Sequence, residues 1–184
     1  FFANATQQMA LFGLMTYFAA YMIESYGWDE ANTAPGLALL GVGAVIGSFV
    51  GGSIAGRARS LEWLAAISLA GGVVVGLLFA LDASAWLVVA MAFVASVLVS
   101  VSMPVLMTLI MHLAGQSRGT AGGMFSTSNQ FGGVVGASAG GLMLSLGGYP
   151  AVGLLYLVAT VLSACVVGLI MRRSPAFQLR GTDS

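Results

Sequence analysis

The chain alternates between long apolar stretches and short polar gaps. Six of the stretches are long enough to cross the hydrocarbon core of a bilayer as helices, which takes about 20 residues. They cover residues 2–26, 33–56, 61–81, 85–112, 120–146 and 149–171. Because the gaps are short, consecutive helices should pack side by side and antiparallel. The pattern predicts an all-α, polytopic membrane protein: one bundle of six transmembrane helices, followed by a short tail at 172–184.

The composition indicates that much of the surface faces lipid. Apolar residues make up 59% of the chain and charged residues 7%, whereas charged residues make up about 25% of a typical soluble domain. The formal net charge is zero, so nothing suggests nucleic acid as a partner. We expect the lipid bilayer to be the main surrounding of this chain.

The basic residues predict the orientation in the membrane. All six are arginines, and they occupy alternate gaps: the second, the fourth and the segment after the last stretch. They are Arg57, Arg59, Arg118, Arg172, Arg173 and Arg180. Cytoplasmic loops are enriched in arginine and lysine, so both termini should be cytoplasmic. The other gaps carry acids or no charge, and they should face the opposite side.

Residues near the ends of the stretches suggest how individual helices begin and bend. Asn32 or Thr33 can cap the second helix, which would place Pro35 in its first turn. Pro104 removes a backbone hydrogen bond inside the fourth helix and should kink it.

Glycines at four-residue spacing predict close packing on two helices. Such spacing places residues along one stripe of a helix, and small residues let helix backbones approach each other in lipid. The glycines that we assign to helix packing are Gly47 and Gly51 on the second helix and Gly132, Gly136 and Gly140 on the fifth. These stripes fit either static packing or a contact that slides during a conformational cycle, and the sequence leaves both open.

Two segments resemble parts of a known family. Arg-Gly-Thr-Ala-Gly at 118–122, continuing through the polar run at 125–133, is similar to the eleventh helix of bacterial drug-efflux permeases of the major facilitator superfamily. Gly-Ser-Ile-Ala-Gly-Arg-Ala-Arg at 52–59 resembles a cytoplasmic motif of that family, in which an acid and a Gly-Arg pair clamp neighbouring helices. Gly56 and Arg57 match this Gly-Arg pair, and Ser53 stands in the place of the acid.

The resemblance implies a fold and a function. Members of that family have twelve helices in two six-helix halves, so the chain resembles the C-terminal half, with Arg57 and Arg118 in cytoplasmic loops. Its implied partner is an N-terminal six-helix half or a second copy of the chain. The implied function is secondary active transport of a small molecule, such as an amphipathic drug or metabolite, by alternating access in a bacterial cytoplasmic (inner) membrane. The alternative is a non-transporting scaffold or accessory subunit of a larger membrane complex.

Polar and flexible side chains inside the stretches are the candidates for substrate contact, because polar groups at bilayer depth usually face protein or water. We assign Gln8, Tyr17, Ser100, Met103 and Gln130 to substrate binding. The first helix corresponds to the family's seventh, which often borders the substrate path, and the thioether of Met103 suits an adaptable apolar cavity. Asn129 shares a stripe with Gly136, so we assign it to helix packing.

The sequence gives no indication of catalysis. No acidic or basic residue lies near the centre of any stretch, and Glu24, at the end of the first, is the best local candidate for a group that couples transport to protons. The chain has no catalytic triad order, no phosphate-binding loop and no metal-ligand spacing, and its one cysteine is Cys165. We therefore expect no enzyme activity, no cofactor and no metal.

Overall fold

The computed structural model is all-helical and describes residues 1–57, 60–81 and 83–173. Most of the predicted tail, residues 174–184, lies outside the described residues. The helices are α1 (Phe2–Tyr26), α2 (Glu30–Ala55), α3 (Ser60–Ala80), α4 (Ala85–Ser100), α5 (Ser102–Leu113) and α6 (Arg118–Arg173).

The long helix α6 consists of two segments that meet at a break. Gly147 (φ −151°, ψ 16°) and Gly148 (φ 69°, ψ −164°) leave the helical conformation, and the positive φ of Gly148 favours glycine. Without the break, 56 residues would form a helix about 84 Å long, well beyond the thickness of a bilayer. The hydroxyl of Tyr156 donates to the carbonyl oxygen of Gly136 at 3.0 Å. The second segment, 149–173, therefore folds back on the first, 118–146.

The helices α4 and α5 follow each other with one residue, Val101, between them. Val101 has helical dihedral angles (φ −57°, ψ −31°), so the chain continues from α4 into α5 instead of turning. Pro104 has no N–H to donate to the carbonyl of Ser100, and its ring crowds that carbonyl. The irregularity that Pro104 predicted in the fourth stretch therefore lies at Val101, about one turn before the proline.

The start of α2 differs from the prediction. Asp29, not Asn32 or Thr33, is the N-cap, and its side-chain oxygen accepts a hydrogen bond from the backbone N–H of Asn32 at 2.8 Å. The helix therefore begins earlier than expected, and Pro35 lies beyond the first turn. The predicted cap was wrong because several adjacent residues could cap a helix, and only the backbone geometry selects among them.

Four helical segments within the described residues are long and apolar enough to cross a membrane. They are Glu30–Ala55, Glu62–Ala80, Ala85–Leu113 and Arg118–Leu169, the last of which contains the glycine break. The remaining helix, α1, has 25 residues and is more polar, with Asn4, Gln7 and Gln8 in its first half. The protein is therefore an integral membrane protein with an all-helical fold.

The bundle has two ends of different character. At one end, Tyr149 donates to the Glu24 carboxylate at 2.7 Å and Tyr26 donates to the Ala83 carbonyl at 2.7 Å. We name it the acidic end, because Glu24, Asp29 and Glu30 lie there. At the other end, which we name the arginine end, Arg57 follows α2 and Arg118 begins α6.

Candidate functional site

The first half of α1 is joined to α6 by side-chain hydrogen bonds. The Asn4 amide donates to Ser128 Oγ at 2.6 Å and also to Asn129 Oδ1. Asn4 is 1% exposed, so water has little access to these polar groups. The structure thus places Asn129 in the contact between α1 and α6.

Glycines bring the same two helices together further along. Gly132 lies directly against the Ala5 carbonyl oxygen, and a β-carbon placed on Gly136 would lie 2.6 Å from the carbonyl oxygen of Met9. Both positions are too close to the α1 backbone for any side chain. The backbones of α1 and α6 therefore approach each other as small residues permit in lipid.

Tyr17 lies within this contact. Its hydroxyl donates to the carbonyl oxygen of Ala137, and its ring lies where a β-carbon on Gly140 would sit. The side chain is 9% exposed. Tyr17 therefore packs α1 against α6.

The contact between α2 and α4–α5 also depends on glycine. Gly47 lies against the carbonyl oxygen of Val97, and a β-carbon placed there would lie 2.9 Å from the Cβ of Ser100. Gly51 lies against the carbonyl oxygen of Val101. Ser100 is buried in this contact, and its hydroxyl has no hydrogen-bond partner among the described residues.

The remaining predicted binding residues lie in different surroundings. Gln130 is exposed on the first segment of α6 and has no hydrogen-bond partner among the described residues. Met103 on α5 is 41% exposed, whereas Gln8 on α1 is buried. No hydrogen bond in the described part of the chain joins any two of the five predicted binding residues.

A buried polar contact between α1 and the second segment of α6 was not predicted. Gln7 Nε2 donates to Ser163 Oγ at 3.2 Å, and Ser163 Oγ donates to the Ala3 carbonyl oxygen at 3.0 Å. The Oε1 atom of Gln7 is buried without a partner among the described residues. Gln7 itself was visible as a polar residue in an apolar stretch, but nothing in the sequence linked it to Ser163.

The loop at the arginine end keeps the glycine and the arginine of the resembled motif but not its acid. Gly56 ends α2, and the Arg57 side chain is exposed. Ser53, in the place of the motif's acid, donates its hydroxyl to the Val50 carbonyl of its own helix at 2.8 Å. Arg118 is exposed at the first position of α6.

No metal-binding constellation is present in the described part of the chain, where no three His, Cys, Asp or Glu side chains lie close enough together to hold an ion. Cys165, on the second segment of α6, is exposed and unpaired there. Among the described residues, Asn4, Gln7 and Tyr17 thus join helices, whereas Gln130 lies on an outer face.

Comparison with protein families decides what this helical bundle belongs to. A family model described as Major Facilitator Superfamily matches residues 1–183. The chain belongs to the major facilitator superfamily. No curated protein and no solved structure matches it.

The major facilitator superfamily is a superfamily of membrane transporters. Its members are transporters and not enzymes, which fits the absence of catalytic motifs from the sequence. The match confirms the superfamily that the segment 118–133 resembled. The narrower likeness to bacterial drug-efflux permeases remains a prediction.

Proposed function

We propose that this chain forms one six-helix half of a major facilitator transporter. Six membrane-crossing units can be counted as α1, α2, α3, α4 with α5, and the two segments of α6. The first unit then begins at the arginine end, and the last unit ends there. A half of this kind supplies one wall of a central cavity, and the second wall comes from another six-helix half or from a second copy of the chain.

The arginine end is cytoplasmic in this proposal. Arg57 and Arg118 lie at that end, while Glu24, Asp29 and Glu30 lie at the other. Arginine-rich loops stay on the cytoplasmic side of bacterial inner membranes. Both termini of the bundle are therefore cytoplasmic.

The single observation that carries the proposal is the exposed amide of Gln130. It lies near the middle of the segment 118–146, on the outside of the bundle and without a partner among the described residues. A primary amide facing lipid at that depth would lack hydrogen bonds, which costs several kcal/mol. Its face therefore meets an aqueous cavity, and Gln130 is the side chain best placed to touch the substrate.

The adjacent residue, Phe131, lies on a different side of the helix from Gln130. Phe131 is 65% exposed and points about 100° away from Gln130 around the helix axis. The exposed surface of this segment thus has a polar side at Thr127 and Gln130 and an apolar side at Phe131. The polar side faces the cavity and the apolar side faces lipid.

The close glycine contacts suit a transporter that rocks between inward-open and outward-open states. The contacts at Gly47, Gly132 and Gly136 hold the helices of this half together at backbone distance. Such a half moves as a rigid unit against the opposite wall, which is the basis of alternating access. The transported molecule is small and amphipathic or apolar, because Gln130 and Met103 offer an amide and a thioether but no charge.

Counterflow in proteoliposomes tests this function. The product of the complete gene is reconstituted and assayed with a panel of radiolabelled small amphipathic and apolar compounds, against empty liposomes. We expect counterflow of at least one compound, with a higher KM in Gln130→Ala and an unchanged yield of folded protein. Residues 1–184 reconstituted as a monomer should give none, because one wall does not enclose a cavity.

Two results would contradict the proposal. Counterflow by the monomer would mean that this chain needs no second wall. No counterflow of any compound by folded gene product would favour the non-transporting scaffold. Activity of residues 1–184 that appears only in a crosslinked dimer would identify a second copy as the other wall.

A further inference from the structure

Aromatic side chains surround a cavity at the acidic end. The cavity has a volume of about 380 Å³ and lies between α1, α3 and the start of the second segment of α6. Four rings line it, those of Tyr21, Tyr26, Phe79 and Tyr149. The volume lies within the range of small-molecule sites, which begins at about 300 Å³.

The four rings form one cluster with several orientations. Tyr21 lies at its centre, edge-on to Tyr26 at 5.5 Å and to Phe79 at 5.4 Å, with centroids 4.7 Å from Tyr149. Phe79 and Tyr149 are nearly parallel, 11° apart, with centroids 6.1 Å apart. The cavity is therefore bounded by ring surfaces from three helices, which attract cations through their electron-rich faces.

A carboxylate stands next to these rings. Glu24 Oε2 accepts a hydrogen bond from the Tyr149 hydroxyl at 2.7 Å, and the Glu24 side chain is exposed. A carboxylate has room for several hydrogen bonds or ionic contacts, so this bond leaves most of its capacity unused. Glu24 thus places a negative charge beside Tyr149, one of the rings that line the cavity.

The charges of the acidic end reinforce this one. Asp29 and Glu30 are also exposed at this end, and no arginine in the described part of the chain lies here. Arg57 follows the far end of α2, a helix of 26 residues, and so lies about 39 Å away along that axis. The local potential is therefore negative and favours a cationic ligand.

The cluster differs from the aromatic residues that anchor membrane proteins at the headgroups. Trp63 and Trp86 are 54% and 76% exposed, as side chains inserted among lipids should be. Tyr21 and Phe79 are instead 6% and 2% exposed, line the cavity and pack edge-on against each other. Anchoring in lipid does not explain buried rings around a cavity.

We propose that this cavity, bounded by Tyr21, Tyr26, Phe79 and Tyr149 and with Glu24 bonded to Tyr149 beside it, is a binding site for a small quaternary or alkyl ammonium group. The rings bind the methyl or methylene groups and part of the positive charge, and Glu24 binds the rest. The site is separate from the Gln130 face and does not require that the chain transports the cation. The ammonium group belongs either to a free organic cation or to a lipid head group.

Titration with choline tests the site. The protein is held in maltoside micelles, which carry no ammonium group, and binding is followed by saturation-transfer NMR on the choline methyl protons. We expect saturable binding, with 3,3-dimethyl-1-butanol, the uncharged analogue of choline, binding at least about fivefold more weakly. Equal binding of choline and its uncharged analogue would overturn the proposal.

Matched variants locate the site. Glu24→Gln should weaken choline binding about fivefold, and Tyr149→Leu, which removes a ring, by a similar factor. Tyr149→Phe keeps the ring and should bind choline as the wild type does. Glu30→Gln removes a charge of the same end outside the cavity and should weaken choline binding much less than Glu24→Gln does. Unchanged binding in Glu24→Gln and Tyr149→Leu, with helical circular dichroism intact, would overturn the assignment.

Nanodiscs distinguish the two sources of the ammonium group. If a lipid head group fills the cavity, free choline should bind more weakly in phosphatidylcholine nanodiscs than in phosphatidylglycerol nanodiscs, and this difference should disappear in Glu24→Gln. If free cations are the ligand, the ratio of wild-type to Glu24→Gln affinity should be the same in both lipids. Equal choline affinity of the wild type and Glu24→Gln in both lipids would contradict a cation site.

Discussion

The Asn4 side chain of α1 donates hydrogen bonds to both Asn129 and Ser128 of α6, two residues more than 120 positions away in the chain. This pair of bonds joins the first helix to the polar run at 125–133. The bonds distinguish two neighbouring amides on α6. Asn129 has a partner on α1, whereas Gln130 lies outside the bundle without one among the described residues.

Asn129 should therefore contribute to stability where Gln130 does not. Asn129→Leu removes an acceptor from a buried amide and should lower the free energy of unfolding by about 1 to 2 kcal/mol. Gln130→Leu, the matched control, removes no bond and should change it by less than about 0.5 kcal/mol. Unfolding of both variants in mixed micelles gives the comparison, and equal losses would contradict the assignment.

Glycines on the same segment of α6 should differ in the same way. Gly132→Ala places a β-carbon against the Ala5 carbonyl and should destabilise the bundle by about 1 to 3 kcal/mol. Gly123→Ala meets nothing within 4 Å and should be neutral or stabilise the helix by up to about 1 kcal/mol. Thermal unfolding midpoints of the two variants measure the difference. A stable Gly132→Ala protein would mean that α1 and α6 do not approach this closely.

The sidedness of the two ends can be measured with single cysteines. In a Cys165→Ser background, a cysteine at Ala83 should react with an impermeant maleimide added outside intact cells, because the acidic end faces out in the proposed orientation. A cysteine at Ser184 should react only after the cells are opened, because arginine-rich segments stay inside. The protein without cysteine is the control, and equal labelling of both sites from outside would contradict the orientation.

The apolar pattern of the sequence predicted the course of some helices better than the residue at which each one begins. A helix was predicted over 2–26, and α1 spans Phe2–Tyr26. The gap predicted at 147–148 coincides with the glycine break in α6. Glycine readily adopts the non-helical dihedral angles that the chain needs there to reverse direction. The cap of α2 was missed because Asp29 competes with its neighbours for that position.

The candidate site was less predictable, because side-chain partners depend on distant parts of the chain. Tyr17 and Gln130 were both assigned to substrate binding from their polarity within apolar stretches. The structure places Tyr17 against Ala137 and Gly140 inside a helix contact and Gln130 on the outside. Ser163, whose hydroxyl oxygen accepts a hydrogen bond from the Gln7 amide, lies 156 positions further along the chain. No local sequence pattern indicates such a pair.

The most direct measurement is the water accessibility of two adjacent residues, Gln130 and Phe131, in the membrane. Cysteines replace each in turn in the Cys165→Ser product of the complete gene, and a small charged thiol reagent is added to membranes. Adjacent positions share the same depth but point about 100° apart. We predict rapid labelling of Gln130→Cys and none of Phe131→Cys, since only Gln130 faces an aqueous cavity. Protection of both cysteines, or faster labelling at Phe131, would contradict the transporter cavity proposed for this chain.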